Sequence, residues 1–168
     1  IIVSSGLATF SNMAMADVDH DGYGEIFVVD NNANLCRFEH DGTESWINSS
    51  ESLPGTWSTP SIADFDQDGI PEVYVVNRIF DAITGSLLVK NTNANTGGYA
   101  ADESYPVAID VFAANEVVPA TGLPCTDCDG LELVAGNAVY AVDLSSATGL
   151  LEVSKVSGLG DGVTSVAD

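Results

Sequence analysis

Basic residues are scarce in this chain. Of its 168 residues only 4 are Lys or Arg, whereas 25 are Asp or Glu, which gives a formal net charge of −21 at pH 7. Nucleic-acid binding depends on clustered Lys and Arg that neutralise phosphates, and anionic membrane surfaces attract the same residues. The composition therefore argues against nucleic acid and anionic lipid as partners.

Long apolar runs and helical periodicity are missing as well. No apolar run approaches the roughly 18 residues of a membrane-spanning helix, so no membrane insertion is predicted. No segment places apolar residues at the 3.6-residue spacing of an amphipathic helix. Hydrophobic residues nevertheless make up 45% of the chain, enough to bury a core, and we expect a folded protein. No basic stretch leads into an apolar segment after Ile1, so we expect a secretion signal to be absent or already removed.

An internal repeat is present instead. Residues 15–29 and 62–76 share the pattern Ala-Asp-x-Asp-x-Asp-Gly-x-x-Glu followed by four apolar residues, and 47 positions separate Asp17 from Asp64. Such self-similarity is typical of a modular repeat architecture.

Two further repeats are predicted from the same spacing. The third begins at Asp110, with 14 inserted residues before the glutamate equivalent, Glu132. The fourth begins at Asp168.

Short strands and turns fill each period. The predicted strands cover residues 25–30, 34–39, 44–48, 72–76, 78–80, 86–90, 131–135, 138–142 and 150–156. Three or four strands in each 46–47 residues are typical of one four-stranded blade, so the predicted fold is an all-β propeller with about three and a half blades. Because propellers typically close with 4–8 blades, we expect residues 1–168 to be a fragment of one propeller domain. Residues 1–5 would be a strand of the preceding blade.

The repeated acidic loop has the donor atoms of a cation site. Carboxylates occupy positions 1, 3, 5 and 9, position 7 offers a backbone carbonyl, and Gly at position 6 permits the sharp turn. Hard oxygen donors without His or Cys favour Ca²⁺ over Mg²⁺ or Zn²⁺. The predicted ligands are Asp17, Asp19, Asp21, Tyr23 and Glu25 in the first loop and Asp64, Asp66, Asp68, Ile70 and Glu72 in the second. His20 and Gln67, at position 4, are expected to face solvent.

Two other interpretations of these loops fit the sequence less well. A solvated acidic turn would leave four carboxylates repelling one another within nine residues, and it would not explain why the whole pattern recurs. An EF-hand needs a bidentate Glu at position 12, where this chain has Val28 or Val75. Calcium at two sites is therefore predicted, with a third site at Asp110, Asp129 and Glu132 as the weaker candidate.

Residues 17–29 and 64–76 resemble the calcium-loop core of FG-GAP/VCBS repeats, the blades of integrin-α-type β-propellers. Residues 133–142 are also similar to the second and third strands of that family, whereas its Phe-Gly and Gly-Ala-Pro dipeptides are absent, which places the VCBS-like variety closer. The resemblance implies a seven-bladed propeller with calcium on blade-edge loops, in a bacterial secreted or cell-surface protein. It also implies adhesion or recognition, although some polysaccharide lyases carry the fold.

Cysteine and histidine offer few other sites. Cys125-Thr-Asp-Cys128 fits a small disulfide in the inserted segment, two free thiols or, less well, a metal site, and Cys36 is expected to be buried in a strand. Neither histidine lies in a nucleophile motif. Asn48-Ser-Ser fits the glycosylation pattern, which also arises by chance.

Aromatic residues have two interpretations. They could line a sugar-binding face, but packing between blades is the expected role of Trp46, Trp57, Tyr99 and Tyr105.

The predicted function is a non-enzymatic, calcium-binding propeller module that mediates adhesion, recognition or display outside the cell. Its partners would be the remaining blades and a protein or glycan ligand. The alternatives are the propeller portion of an extracellular polysaccharide lyase or hydrolase, whose catalytic site would lie outside this fragment, and a purely structural spacer.

Overall fold

The structure is a computed structural model that describes residues 12–56, 58–91, 105–118, 122–126 and 128–155. Within these ranges every regular element is a β-strand. The strands are β1 (Ala14–Ala16), β2 (Glu25–Val29), β3 (Leu35–Phe38), β4 (Glu44–Asn48), β5 (Pro60–Ala63), β6 (Glu72–Val75), β7 (Arg78–Asp81), β8 (Leu87–Lys90), β9 (Val107–Ile109), β10 (Glu132–Ala135), β11 (Ala138–Val142) and β12 (Leu150–Lys155).

The strands form three four-stranded antiparallel sheets, each made of four consecutive strands in sequence order. Sheet 1 contains β1–β4, sheet 2 contains β5–β8 and sheet 3 contains β9–β12. Short hairpins connect most neighbouring strands, as local antiparallel pairing allows. The predicted all-β fold of four-stranded blades is confirmed. The predicted fourth repeat at Asp168 and the strand at residues 1–5 lie outside the described residues.

The predicted strand positions agree with the structure to within one or two residues. The first strand of each sheet had no predicted bounds, because β1, β5 and β9 have only three or four residues and no clear apolar alternation. Each acidic loop joins this first strand to the second one. The glutamate at position 9 is the first residue of the second strand, where Glu25 pairs with Ala16 and Glu72 with Ala63.

The sheets stack face to face, and apolar side chains from both faces of sheet 2 form the two larger cores. Val73 and Val75 pack with Phe27 of sheet 1, whereas the intervening Tyr74 packs with Leu133 of sheet 3. Such alternation follows from the two-residue period of a strand that is covered on both sides. Two cross-sheet hydrogen bonds reinforce the second core: Ala108 N donates to Tyr74 Oη (3.2 Å), and Asn91 Nδ2 donates to Tyr140 Oη (2.8 Å).

The inserted segment of the third repeat covers the other face of sheet 3. Residues 115–118 pair with residues 122–125: Val118 N donates to Leu123 O (2.9 Å) and Asn115 N to Cys125 O (2.8 Å). Val118 and the disulfide of Cys125 and Cys128 pack with Ala141 of β11. The insertion therefore adds apolar cover to this sheet.

Within the described ranges, no helix is long and apolar enough to cross a membrane.

Candidate metal sites

The two acidic loops between the first and second strands of sheets 1 and 2 have the same backbone conformation. Gly22 and Gly69, at position 6, have φ angles of +92° and +93°, which only glycine adopts readily. Their amides donate to the first aspartate of the loop, Gly22 N to Asp17 Oδ2 (3.0 Å) and Gly69 N to Asp64 Oδ2 (2.9 Å). The first carboxylate and the glycine therefore close each loop into a ring.

A buried glutamate at position 9 closes each loop from the other end. Glu25 and Glu72 are 0% and 7% exposed. Each accepts a 2.9 Å hydrogen bond from the amide of position 2, Glu25 Oε2 from Val18 and Glu72 Oε2 from Phe65. One oxygen of each glutamate is thus committed to the backbone, and the other is available for a ligand.

Carboxylates at positions 1, 3 and 9 converge in both loops. One oxygen from each of Asp17, Asp19 and Glu25 lies within 4.8 Å of the other two. The same holds for Asp64, Asp66 and Glu72.

In the first loop two of the converging residues also carry buried oxygens without a partner. Asp17 Oδ1 and Glu25 Oε1 are buried and accept no hydrogen bond. Buried acceptors of this kind are normally satisfied, and a hard cation is the partner that suits clustered carboxylates. The donor set of both loops therefore fits Ca²⁺.

The aspartates at position 5 stand apart from these triads. Asp21 Oδ1 and Asp68 Oδ1 instead accept the amides of Tyr23 and Ile70, both at 2.8 Å. At position 7, Tyr23 and Ile70 have exposed side chains (57% and 45%). The ligand predicted at position 7 is the main-chain carbonyl, which does not require a buried side chain.

Position 4 differs between the two loops. Both His20 and Gln67 adopt left-handed backbone, with φ of +61° and +58°. The His20 side chain is exposed, as predicted, but its Nε2 lies 3.1 Å from Gly69 O of the second loop. This contact joins the two candidate sites across sheets 1 and 2.

Among the described residues, no positively charged side chain pairs with the carboxylates of the second loop. Burial, with smaller contributions from the negative charges of Asp66, Asp64 and Asp68, raises the pKa of Glu72 to about 7, against the opposing hydrogen bond from Phe65 N. In the described part of the chain, no carboxylate of this loop forms an ion pair with Lys, Arg or His.

A positively charged side chain that was not predicted from the sequence lies beside the first loop. Arg37, in β3, is 3% exposed, and its Nη2 lies 2.6 Å from Asp19 Oδ2, 3.4 Å from Glu39 Oε1 and 3.8 Å from Glu25 Oε2. One sequence signal was available, because Arg37 is the only charged residue in the otherwise apolar segment 35–38. Its contact with the loop depends on strand register, which the sequence pattern does not give.

The third loop keeps only the glutamate anchor. Glu132 Oε2 accepts the amides of Val111 (2.7 Å) and Phe112 (3.1 Å), so it ties the start of the loop to the strand as in the other repeats. Burial raises the Glu132 pKa, with a smaller contribution from the charge of Asp110. Among the described residues, Asp110, Asp129 and Glu132 do not converge as the first two triads do. The insertion separates Asp129 in sequence from the loop start, which accounts for the difference.

Cysteine residues occupy structural positions. Cys125 and Cys128 are joined in a disulfide with a Cα–Cα distance of 5.5 Å, and both are buried. Cys36 is a free thiol and fully buried, as predicted. Burial raises the Cys36 pKa to about 12, with smaller contributions from the charges of Asp30 and Glu44, so this thiol is not a nucleophile at neutral pH.

Asn48, the acceptor residue of the glycosylation pattern, is engaged in the fold. It is 8% exposed, and its Nδ2 donates to Gly85 O at 2.7 Å. Its Oδ1 accepts the amides of Ser50 and Glu51, both at 3.0 Å. Modification of this amide would require local unfolding.

Trp46 packs between sheets 1 and 2, as predicted. Its Nε1 donates to Ala82 O at 3.3 Å, and its ring is tilted against Phe27 with centroids 6.0 Å apart. Tyr105 is 42% exposed, and Trp57 and Tyr99 lie outside the described residues.

Comparisons with known proteins identify the repeat and the fold. Residues 17–75 match the model of the FG-GAP-like repeat family. No curated protein matches the sequence. The crystal structure of the biofilm matrix protein Bap1 of V. cholerae is similar to this chain, with a TM-score of 0.54 and 18% sequence identity. The similarity covers 85% of this chain but only 19% of that protein, so this chain spans about a fifth of the length of its structural neighbour.

Proposed function

Because residues 17–75 match the FG-GAP-like repeat family in a fold of propeller blades, we propose that this chain is a calcium-binding propeller module of a secreted or cell-surface protein, with adhesion, recognition or display as its role. The observation that carries the proposal is the pair of buried, unpartnered oxygens, Asp17 Oδ1 and Glu25 Oε1, beside the carboxylate of Asp19. An unsatisfied buried acceptor costs about 1–3 kcal/mol, and more when it is charged. A bound divalent cation removes that cost.

In the proposed sites, Asp17, Asp19 and Glu25 hold one ion, and Asp64, Asp66 and Glu72 hold the other. Each ion would bind the start of an acidic loop to the strand that follows it. Calcium supplies charge neutralisation and a multidentate oxygen shell. The chain supplies the preformed ring of backbone hydrogen bonds that places the carboxylates.

Two observations and one general property of calcium modules support a location outside the cell. Cys125 and Cys128 form a disulfide, which persists in oxidising compartments. Extracellular calcium modules typically bind at about 10⁻⁴–10⁻³ M, a range that suits extracellular but not resting cytosolic calcium. One solved structure that shares the fold is a biofilm matrix protein.

We expect the partners to be the other blades of the same protein, seven in all by the family pattern, together with a protein or glycan ligand on the propeller surface. Three basic residues in this part of the propeller already form ion pairs, which disfavours an active site here. Arg37 is bound to carboxylates of sheet 1. Arg78 and Lys90 both pair with Glu51, at 3.0 Å and 2.7 Å.

Calorimetric melting in matched buffers tests the calcium sites. Replacing EDTA with about 5 mM CaCl₂ should raise Tm by about 5 °C or more, because two sites of submillimolar affinity each stabilise the folded state by roughly 1–2 kcal/mol. Replacing both Asp19 and Asp66 with Ala should abolish most of the shift.

Glu152→Gln is the matched control, since it removes one negative charge from an exposed strand position outside both loops. This variant should keep the full calcium shift. A wild-type melting temperature that calcium leaves unchanged would refute the proposal.

A further inference from the structure

The two candidate sites share a loop sequence but differ at one position in the third strand of their sheets. In sheet 1, Arg37 of β3 pairs with Phe27, two residues after Glu25. In sheet 2 the corresponding strand position, opposite Tyr74, is Ile79. The first loop therefore has a buried guanidinium beside its carboxylates, and the second loop has an aliphatic side chain at the matching place.

Arg37 contacts the first loop and the next sheet at once. Its Nη2 bonds Asp19 Oδ2 at 2.6 Å, a short charge-assisted contact. Its Nη1 lies 3.5 Å from Ala82 O and 3.4 Å from Ile83 O, both in the turn between β7 and β8 of sheet 2. A side chain that is 3% exposed and held by two sheets keeps its charge at a fixed position near the loop.

This fixed charge affects calcium binding in a predictable direction. An interaction that stabilises the calcium-free loop lowers calcium affinity, because binding must proceed from a more stable state. A unit positive charge close to the carboxylates also repels an incoming cation. Both effects act on the first loop, where Arg37 bonds Asp19, and neither acts on the second.

We propose that Arg37 makes the first loop the weaker of two calcium sites, so that calcium binds the Asp64–Glu72 loop first and the Asp17–Glu25 loop second. Arg37 is a tuning residue and not a calcium ligand. This inference rests on the proposed calcium function. It implies that without calcium the first loop has one stabilising ion pair, with Arg37, that the second loop lacks.

Isothermal titration with CaCl₂ tests the proposal on single-site variants of the full chain. Asp66→Ala leaves the first loop, and Asp19→Ala leaves the second. We expect the Asp66→Ala protein to bind more weakly than the Asp19→Ala protein. Adding Arg37→Met to Asp66→Ala keeps side-chain length and removes the charge, so affinity at the first loop should rise about tenfold. Arg37→Lys restores a charge and should return affinity toward the weaker value.

Ile79→Met in the Asp19→Ala protein is the matched control, because it alters the equivalent position of sheet 2 without changing charge. Calcium affinity of the second loop should stay the same. An unchanged or lower affinity of the Arg37→Met protein, with folding verified by circular dichroism in saturating calcium, would overturn the inference and leave the calcium function intact. Absence of calcium binding in the wild-type chain would overturn both.

Discussion

At the scale of single residues, the glutamate at position 9 does more than complete a ligand set. Glu25, Glu72 and Glu132 are all buried, and each accepts an amide from the beginning of its own loop. The bond recurs in the third repeat, where the aspartates do not converge. The glutamate therefore fixes the loop to its strand whether or not the loop has the carboxylates for a cation.

Protonation of Glu72 should make stability depend on pH when calcium is removed. In the folded chain its pKa is raised to about 7 from an ordinary 4.5, so the folded state binds more protons than the unfolded state between these values. This contribution to stability is fully present below about pH 4.5 and is lost as pH rises through about 7. We expect the free energy of unfolding to fall by roughly 2 kcal/mol over this range through Glu72.

Urea unfolding in calcium-free buffer from about pH 5 to pH 8 measures this effect, and Glu72→Gln is the comparison because it cannot titrate. The variant should lose part of the decrease that the wild type shows. An identical pH profile for the two proteins would show that Glu72 titrates normally.

At the scale of elements, contact between sheets 2 and 3 depends on a glycine with no room for a side chain. Leu131 N donates to Phe65 O at 3.2 Å, which brings the loop before β10 against the acidic loop of sheet 2. A methyl group on Gly130 would overlap Phe65 O, a backbone atom that cannot rotate away. Gly130→Ala should therefore destabilise the fold by roughly 2 kcal/mol in denaturant unfolding.

Gly24→Ala is the control for this glycine, since its methyl group would meet only the carbonyl carbon of Ala16 at 3.9 Å. We expect its stability to stay within about 0.5 kcal/mol of wild type. Equal stability of the two alanine variants would mean that the loop shifts away from Phe65 at little cost.

The comparison between sequence and structure is also clearest at this scale. The loops 17–25 and 64–72 could be predicted because their donors are contiguous, and the strands after them because short apolar runs end at turn residues. Arg37 could not be placed, because its contacts with Asp19 and Ala82 depend on strand register and on a neighbouring sheet. The fold of the insertion likewise depends on its packing against sheet 3.

At the scale of the whole molecule, the net charge of −21 opposes compaction of the chain. Its positive side chains relieve little of this repulsion at the surface, since Arg37 and Arg78 are buried within ion pairs. Two calcium ions would supply four positive charges close to the densest clusters of carboxylates. Calcium could therefore stabilise the chain in two ways, by coordination in the loops and by general neutralisation.

Ionic strength separates these two effects. In EDTA, raising NaCl from about 0.02 M to about 0.5 M shortens the screening length from roughly 20 Å to roughly 4 Å, so repulsion across the molecule weakens and Tm should rise by several degrees. Coordination in the loops acts over distances shorter than either length, so a calcium shift of a few degrees should persist in about 0.5 M NaCl. MgCl₂ at equal ionic strength should give a smaller shift, because Mg²⁺ keeps its water and demands octahedral geometry. If high salt removes the calcium shift, calcium acts on this chain through general screening and the two loops are solvated turns. A magnesium shift as large as the calcium shift would show that the loops do not select calcium.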